Sequence, residues 1–182
     1  MGNGAATSGG LIACARIGDV VGVTACLQSD KCDVNTVDNN KYTALYWAAM
    51  NGHAAVVDIL LENKAVTNVA NENKQEPLHW AAQKGYYEVA KSLMEAGANS
   101  EAVSVFGRVP LHNAAMNGHE KVTKLLVDKG ANVAAVDDDG KSALHFACEK
   151  GYIAVAKGLV KRGADVEQVG VSFHISYARD PF

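Results

Sequence analysis

The sequence predicts an all-α protein built as a stack of repeated helical units, and three observations predict it. Leucines at 45, 78, 111 and 144 stand 33 residues apart each time. Each sits in one recurring pattern: Thr43-Ala44-Leu45-Tyr46-Trp47-Ala48-Ala49, Glu76-Pro77-Leu78-His79-Trp80-Ala81-Ala82, Val109-Pro110-Leu111-His112-Asn113-Ala114-Ala115 and Ser142-Ala143-Leu144-His145-Phe146-Ala147-Cys148. Glycines at 52, 85, 118 and 151 hold the same period of 33. Between the patterns, apolar residues such as Val56, Val57, Leu60 and Leu61 recur at the 3-and-4 spacing of one buried helix face.

In chain order, residues 1–8 are small and polar and read as a disordered lead-in. Gly2 raises myristoylation, but that site requires Ser or Thr where Ala6 stands, so the plain lead-in is the stronger reading. Residues 9–40 form a degenerate first repeat, with Leu11 in the leucine slot and Cys14-Ala15 in the Ala-Ala slot. Its second helix should bury Val20, Val23, Cys26 and Leu27. The step from Leu11 to Leu45 is 34, which places one inserted residue within Ser29–Cys32. Terminal units of such arrays are atypical because their outer face meets water.

Full repeats follow at 41–73, 74–106, 107–139 and 140–172. In the first, Thr43 is a helix N-cap whose hydroxyl can accept from an orphan amide. Leu45, Ala48 and Ala49 share one face. Gly52 closes the helix in the left-handed conformation that a Cβ disfavours. The Asn-Gly pairs at 51–52 and 117–118 sit in helical periodicity, so they read as helix ends and not as hairpin turns. Pro77 and Pro110 suit the first helical position. Glu76 and Val109 replace the capping hydroxyl, a loss of about 1 kcal/mol each. Residues 173–182 are either a docked cap or the start of a further repeat, and the sequence leaves both open.

The 33-residue period with units like Pro-Leu-His-x-Ala resembles the ankyrin repeat over roughly residues 7–172. The resemblance implies helix–turn–helix units joined by β-turn fingers, and a protein that works by binding other proteins. Gly97-Ala98, Gly130-Ala131 and Gly163-Ala164 match the family's Gly-Ala after the second helix, and Lys64 replaces that glycine in the first full repeat. Lys41 and Lys74 stand where the family has a turn glycine, kept at Gly107 and Gly140. A lysine at positive φ is strained, so Asn40 or Asn73 should take that conformation instead, leaving the first two full fingers less regular.

The net charge of −3 carries no basic stripe, which excludes a nucleic-acid footprint. No apolar run is long enough for a membrane span. Four cysteines without a C-x-x-C pair argue against zinc or redox motifs and for a reduced, cytoplasmic setting, with the nucleus open. His79, His112 and His145 repeat at one position that Tyr46 also occupies. Stacked units hold such side chains on the order of 8–10 Å apart, too far to share one ion. They read as a structural ladder, as do His53 and His119 after the capping glycines. Gly140-Lys141-Ser142 lacks the upstream glycine of a P-loop, since Ala135 is there. Asp137-Asp138-Asp139-Gly140 fails as a calcium loop at both ends, Ala135 and Phe146. No nucleophile constellation appears, so no catalytic residue, cofactor or metal ligand is assigned. Trp47, Trp80 and Phe146 read as core between the helix layers, with partial exposure to a groove as the other reading.

Partners of ankyrin-like arrays meet the concave side, made of finger tips and first helices. Carried onto this chain, the tip positions are Asn39, Asn40 and Tyr42; Glu72, Asn73 and Gln75; Val105, Phe106 and Arg108; Asp138, Asp139 and Lys141. The helix positions before the capping glycines are Met50 and Asn51, Gln83 and Lys84, Met116 and Asn117, and Glu149 and Lys150, of which Met50, Gln83, Lys84, Met116 and Glu149 are taken as partner-binding. Val105, Phe106, Arg108 and Met116 form the strongest candidate hot spot, because aromatic and Arg side chains anchor interfaces and Met adapts to them. The expected function is a non-catalytic adaptor, scaffold or inhibitor, a monomer that binds a protein partner. The alternative is a structural segment of a longer array or larger assembly.

Overall fold

A computed structural model describes residues 8–30 and 32–167. The segment before residue 8 and the tail at 173–182 lie outside the described residues. Ten helices are present among the described residues, taken here in pairs: α1 Ser8–Ile17 and α2 Val20–Leu27, α3 Ala44–Asn51 and α4 Ala54–Glu62, α5 Pro77–Lys84 and α6 Tyr87–Glu95, α7 Pro110–Met116 and α8 Glu120–Asp128, α9 Ala143–Glu149 and α10 Ile153–Val160. The odd-numbered helices stack on one another in order, the even-numbered ones do the same, and each odd helix packs against its own even partner. The fold is all-α, as the period predicts.

Helix ends follow from local chemistry. Thr43 caps α3, its hydroxyl accepting from the Tyr46 amide at 3.1 Å. Pro77 and Pro110 open α5 and α7. Glu76 and Val109 make no side-chain cap bond. The histidine three residues on acts in the reverse direction instead. Its Nδ1 accepts the cap residue's own amide, at 3.1 Å from Glu76 and from Val109. One orphan amide is thereby satisfied where the hydroxyl is missing.

The core is two leucine columns with alanines between them. Leu45, Leu78, Leu111 and Leu144 form one, Leu60, Leu93, Leu126 and Leu159 the other, and all are essentially fully buried. Each such leucine contributes about 2 kcal/mol by burial. The buried pairs Ala48-Ala49, Ala81-Ala82 and Ala114-Ala115 let neighbouring helices approach closely. In the first repeat Val23 and Cys26 are buried and Leu27 half-buried, but Val20 is 38% exposed. The expectation for Val20 is corrected: as the first residue of α2 it sits at the rim, where Tyr87 and Ile153 are exposed too.

The finger expectation is corrected as well. Lys41 and Lys74 themselves take positive φ, at 63° and 55°, as does Lys64 at 64°. All four fingers carry the same backbone pair. The first turn residue donates to the carbonyl four residues on, and the residue three on donates back to it, as in Asp38–Tyr42 with Lys41–Asp38 and Ser104–Arg108 with Gly107–Ser104. Two closing bonds over-determine the turn and hold a lysine in a conformation it disfavours.

The helices are joined across repeats by rings. Gly85 closes α5 at φ 74°, and a Cβ there would lie 2.4 Å from the His119 ring of the next unit. His119 Nε2 bonds the Gln83 carbonyl at 2.9 Å, and His53 Nε2 bonds the Arg16 carbonyl at 3.1 Å. These histidines latch one repeat onto the one before it.

One buried hydroxyl is out of place. Thr123, 3% exposed, stands where earlier repeats have Val57 and Ala90, and its Oγ1 has no hydrogen-bond partner. It borders a notch of about 30 Å³ between α8 and α10, opened by Gly158 in the slot of Ile59, Ser92 and Leu125. Thr123→Val removes an unsatisfied group at constant shape, so it should stabilise the chain by about 1 kcal/mol. Thermal unfolding should show a rise of about 2–4 °C, and a fall would mean that the hydroxyl is satisfied in solution.

Candidate functional site

The fingers and the first helices beneath them form the surface on which the candidate residues converge. Three of the four fingers are pinned by the side chain of their first residue, while the third, which opens on Ser104, is closed by its backbone pair. Asp38 Oδ1 accepts from the amides of Asn40 at 2.8 Å and Tyr42 at 3.0 Å. Asn71 Oδ1 accepts from Gln75 at 2.8 Å. Asp137 Oδ1 accepts from Asp139 at 3.1 Å and Lys141 at 2.9 Å. Fingers are also tied laterally: Val105 donates to the Asn73 carbonyl at 3.0 Å, and Asp138 to the Phe106 carbonyl at 3.3 Å. Burial pushes the Asp38 carboxyl up, but the Tyr42 amide, the Trp47 indole, the Asn40 amide and Arg16 outweigh it and hold it below the usual range. Asp137 is likewise held low, against its burial, by the Lys141 amide, Arg108, the Asp139 amide and His112.

Beneath the fingers runs the ladder expected of the repeated histidine. With Nδ1 accepting a cap amide, Nε2 carries the proton and donates to a backbone carbonyl in or just before the next finger. His79 reaches the Arg108 carbonyl at 3.1 Å, and His112 the Ala135 carbonyl at 2.9 Å. Both rings are fully buried, and burial drives their pKa below the ordinary value. Tyr46 takes the same role by other means. Its hydroxyl accepts from Asn71 of the second finger at 2.8 Å and from the Trp80 indole. Burial pushes its pKa up to about 12, against those two bonds.

The aromatic position divides. Phe146 is buried, as the core reading holds, whereas Trp47 and Trp80 are half-buried. Trp47 donates its indole N–H to Asp38 at 2.9 Å, lies edge-on to Tyr42 at 5.4 Å, and has the Arg16 guanidinium 5.6 Å from its ring centre. Tyr42 stacks on Tyr46 at 4.4 Å. The first finger is therefore fastened to its helix by a cluster of rings.

The candidate residues fall into two groups. Asn39, Asn40, Glu72, Asn73, Val105, Phe106, Asp138 and Asp139 are exposed at the tips, and Lys84 and Glu149 are exposed at helix ends. Tyr42, Met50, Gln75, Gln83, Arg108, Met116 and Lys141 are half-buried. Arg108 is already engaged within the chain. Its Nε lies 3.4 Å from Asp137, and its guanidinium sits 5.5 Å from the Phe106 ring and 5.2 Å from the Phe146 ring. Lys141 is bound to Glu149 at 2.6 Å. Sequence reasoning does not single out Val37, Val103 and Val136, exposed by 45, 52 and 51% at the residue before the first, third and fourth fingers, where the second has Ala70. Their spacing in multiples of 33 was the signal that could have found them.

Paired helices in two layers, capped and latched at fixed intervals and carrying a row of pinned turns, define a helical-repeat binding scaffold. The chain matches the family model described as Ankyrin repeats (3 copies) over residues 11–104 and again over 98–169. It belongs to the ankyrin repeat family, whose repeats serve as protein–protein interaction modules and are generally non-catalytic. No curated protein matches the chain. No helix among the described residues is long and apolar enough to cross a membrane.

Proposed function

We propose that the protein is a non-catalytic adaptor, scaffold or inhibitor that holds a protein partner on its concave side, across the finger tips and the exposed ends of the first helices. The third finger is its centre. The observation that carries this is Phe106, 60% exposed beside Val105 at 40%, on a finger whose backbone is bonded to both neighbours. A ring carried on a backbone already fixed by those bonds spares a partner the cost of ordering the finger. Half-buried Met116 and Met50 add adaptable apolar surface on the adjoining helices.

Photo-crosslinking tests the reading. Benzoyl-phenylalanine placed at position 106 should capture a protein from the native lysate on illumination. The same group at Lys91, exposed on α6 of the other helix layer, should not. An adduct at 91 with none at 106 would move the interaction to the opposite face and overturn the proposal.

A further inference from the structure

We infer that the partner site on the third finger accepts an apolar side chain flanked by basic residues, an inference that rests on the interaction-surface reading above. The carbon surface is Phe106 with Val105, and its charged surroundings decide what can sit beside it. In sequence the nearest charge is Arg108, which would favour an acidic partner. The structure reverses that sign. Arg108 is spent on Asp137 and on the faces of Phe106 and Phe146, and Lys141 is spent on Glu149.

What remains at the tips of the flanking fingers is mainly negative. The second finger lies against the third through Val105 and Asn73, and the fourth through Asp138 and Phe106. Exposed Glu72, Asp138 and Asp139 take part in no ion pair among the described residues, and exposed Lys74 is the one tip cation set against them. On the two flanking fingers three carboxylates therefore stand against one ammonium, and with a screening length of about 8–10 Å at moderate salt the charges of abutting fingers bear on what sits at the third. A carboxylate brought to Phe106 would be repelled. A lysine or arginine beside an apolar anchor would be drawn in, with steering and selectivity as the main gains.

The experiment is selection from a displayed library of nine-residue peptides with a fixed central leucine and randomised flanks. It is followed by fluorescence anisotropy of the enriched peptides. Lys and Arg should dominate the flanks, and affinity should fall with added NaCl. The double change Asp138→Asn with Asp139→Asn should weaken binding by about 3- to 10-fold, the range of two exposed charge pairs. Phe106→Ala should abolish it while circular dichroism stays unchanged. Peptides lost on Phe106→Ala but with neutral or acidic flanks would overturn the charge inference and leave the surface reading standing. Peptides indifferent to Phe106→Ala, or no enrichment at all, would overturn both.

Discussion

Lowering the pH from 7.5 to 5.5 should destabilise the protein by up to about 2–3 kcal/mol, the largest effect expected of any mild change in conditions. The cause is the buried ladder. His79 and His112 each accept a backbone amide at Nδ1 and donate from Nε2 to a backbone carbonyl in or just before the next finger. A second proton has to enter at Nδ1, where it would face an N–H and destroy the cap bond. Burial disfavours the charged ring further, so both pKa values lie below the ordinary 6.5. The unfolded chain then binds protons that the folded chain refuses. The ladder's contribution is fully present above about pH 6.5 and is lost as pH falls toward the folded pKa. Each histidine yields at most about 1.4 kcal/mol per pH unit over that interval. Glu76, whose carboxyl burial holds above its usual range, works in the opposite sense. Asp38 and Asp137 are held low, so their contribution is lost only at stronger acidity. Urea midpoints at pH 7.5, 6.5 and 5.5 measure the slope. His112→Gln should lower stability at every pH but remove about half of the slope. A wild-type midpoint that stays level across this range would contradict the neutral, doubly bonded rings.

That ladder also shows where the sequence was legible. A period of 33 names each slot, and slots fixed by stacking were readable: the leucine columns, the alanine pairs, the capping glycines, and the histidines as structural groups. Readings failed where one position answers to two influences. Lys41 and Lys74 were expected to shift the turn because a lysine avoids positive φ, but the two closing bonds of each finger outweigh that strain. Val20 fits a helical stripe, yet the first residue of a helix sits at the rim. Tyr46 in a histidine slot gave no hint that its hydroxyl would meet Asn71 and Trp80, residues 25 and 34 positions away. For the binding surface the tip positions were readable and their charges were not. The pairing of Arg108 with Asp137 and of Lys141 with Glu149 depends on side-chain reach, which no spacing rule contains.

Gly85→Ala should cost about 3 kcal/mol, and Gly97→Ala only about 1 kcal/mol, although the two glycines have nearly the same backbone conformation. Their φ values are 74° and 82°, so the left-handed penalty for a Cβ is shared. At Gly97 nothing stands within 4 Å of the added carbon, and the same slot one repeat earlier already holds Lys64 at φ 64°. At Gly85 the Cβ would lie 2.4 Å from His119 Nδ1 and 2.7 Å from its Cγ and Cε1. The ring would have to move, and its bond to the Gln83 carbonyl would break. That leaves a half-buried carbonyl short of a partner and separates α5 from the unit above it, a further 1–3 kcal/mol. Because each repeat is held mainly by its neighbours, a parted interface in the middle of the array is felt by the whole stack. Urea unfolding of the two variants gives the difference directly. The double variant Gly85→Ala with His119→Ala isolates the cause, since removing the ring should remove the extra cost and leave a strong favourable coupling. If Gly85→Ala and Gly97→Ala prove equally mild, the close approach of ring to glycine does not hold the repeats together, and the leucine columns alone must do so.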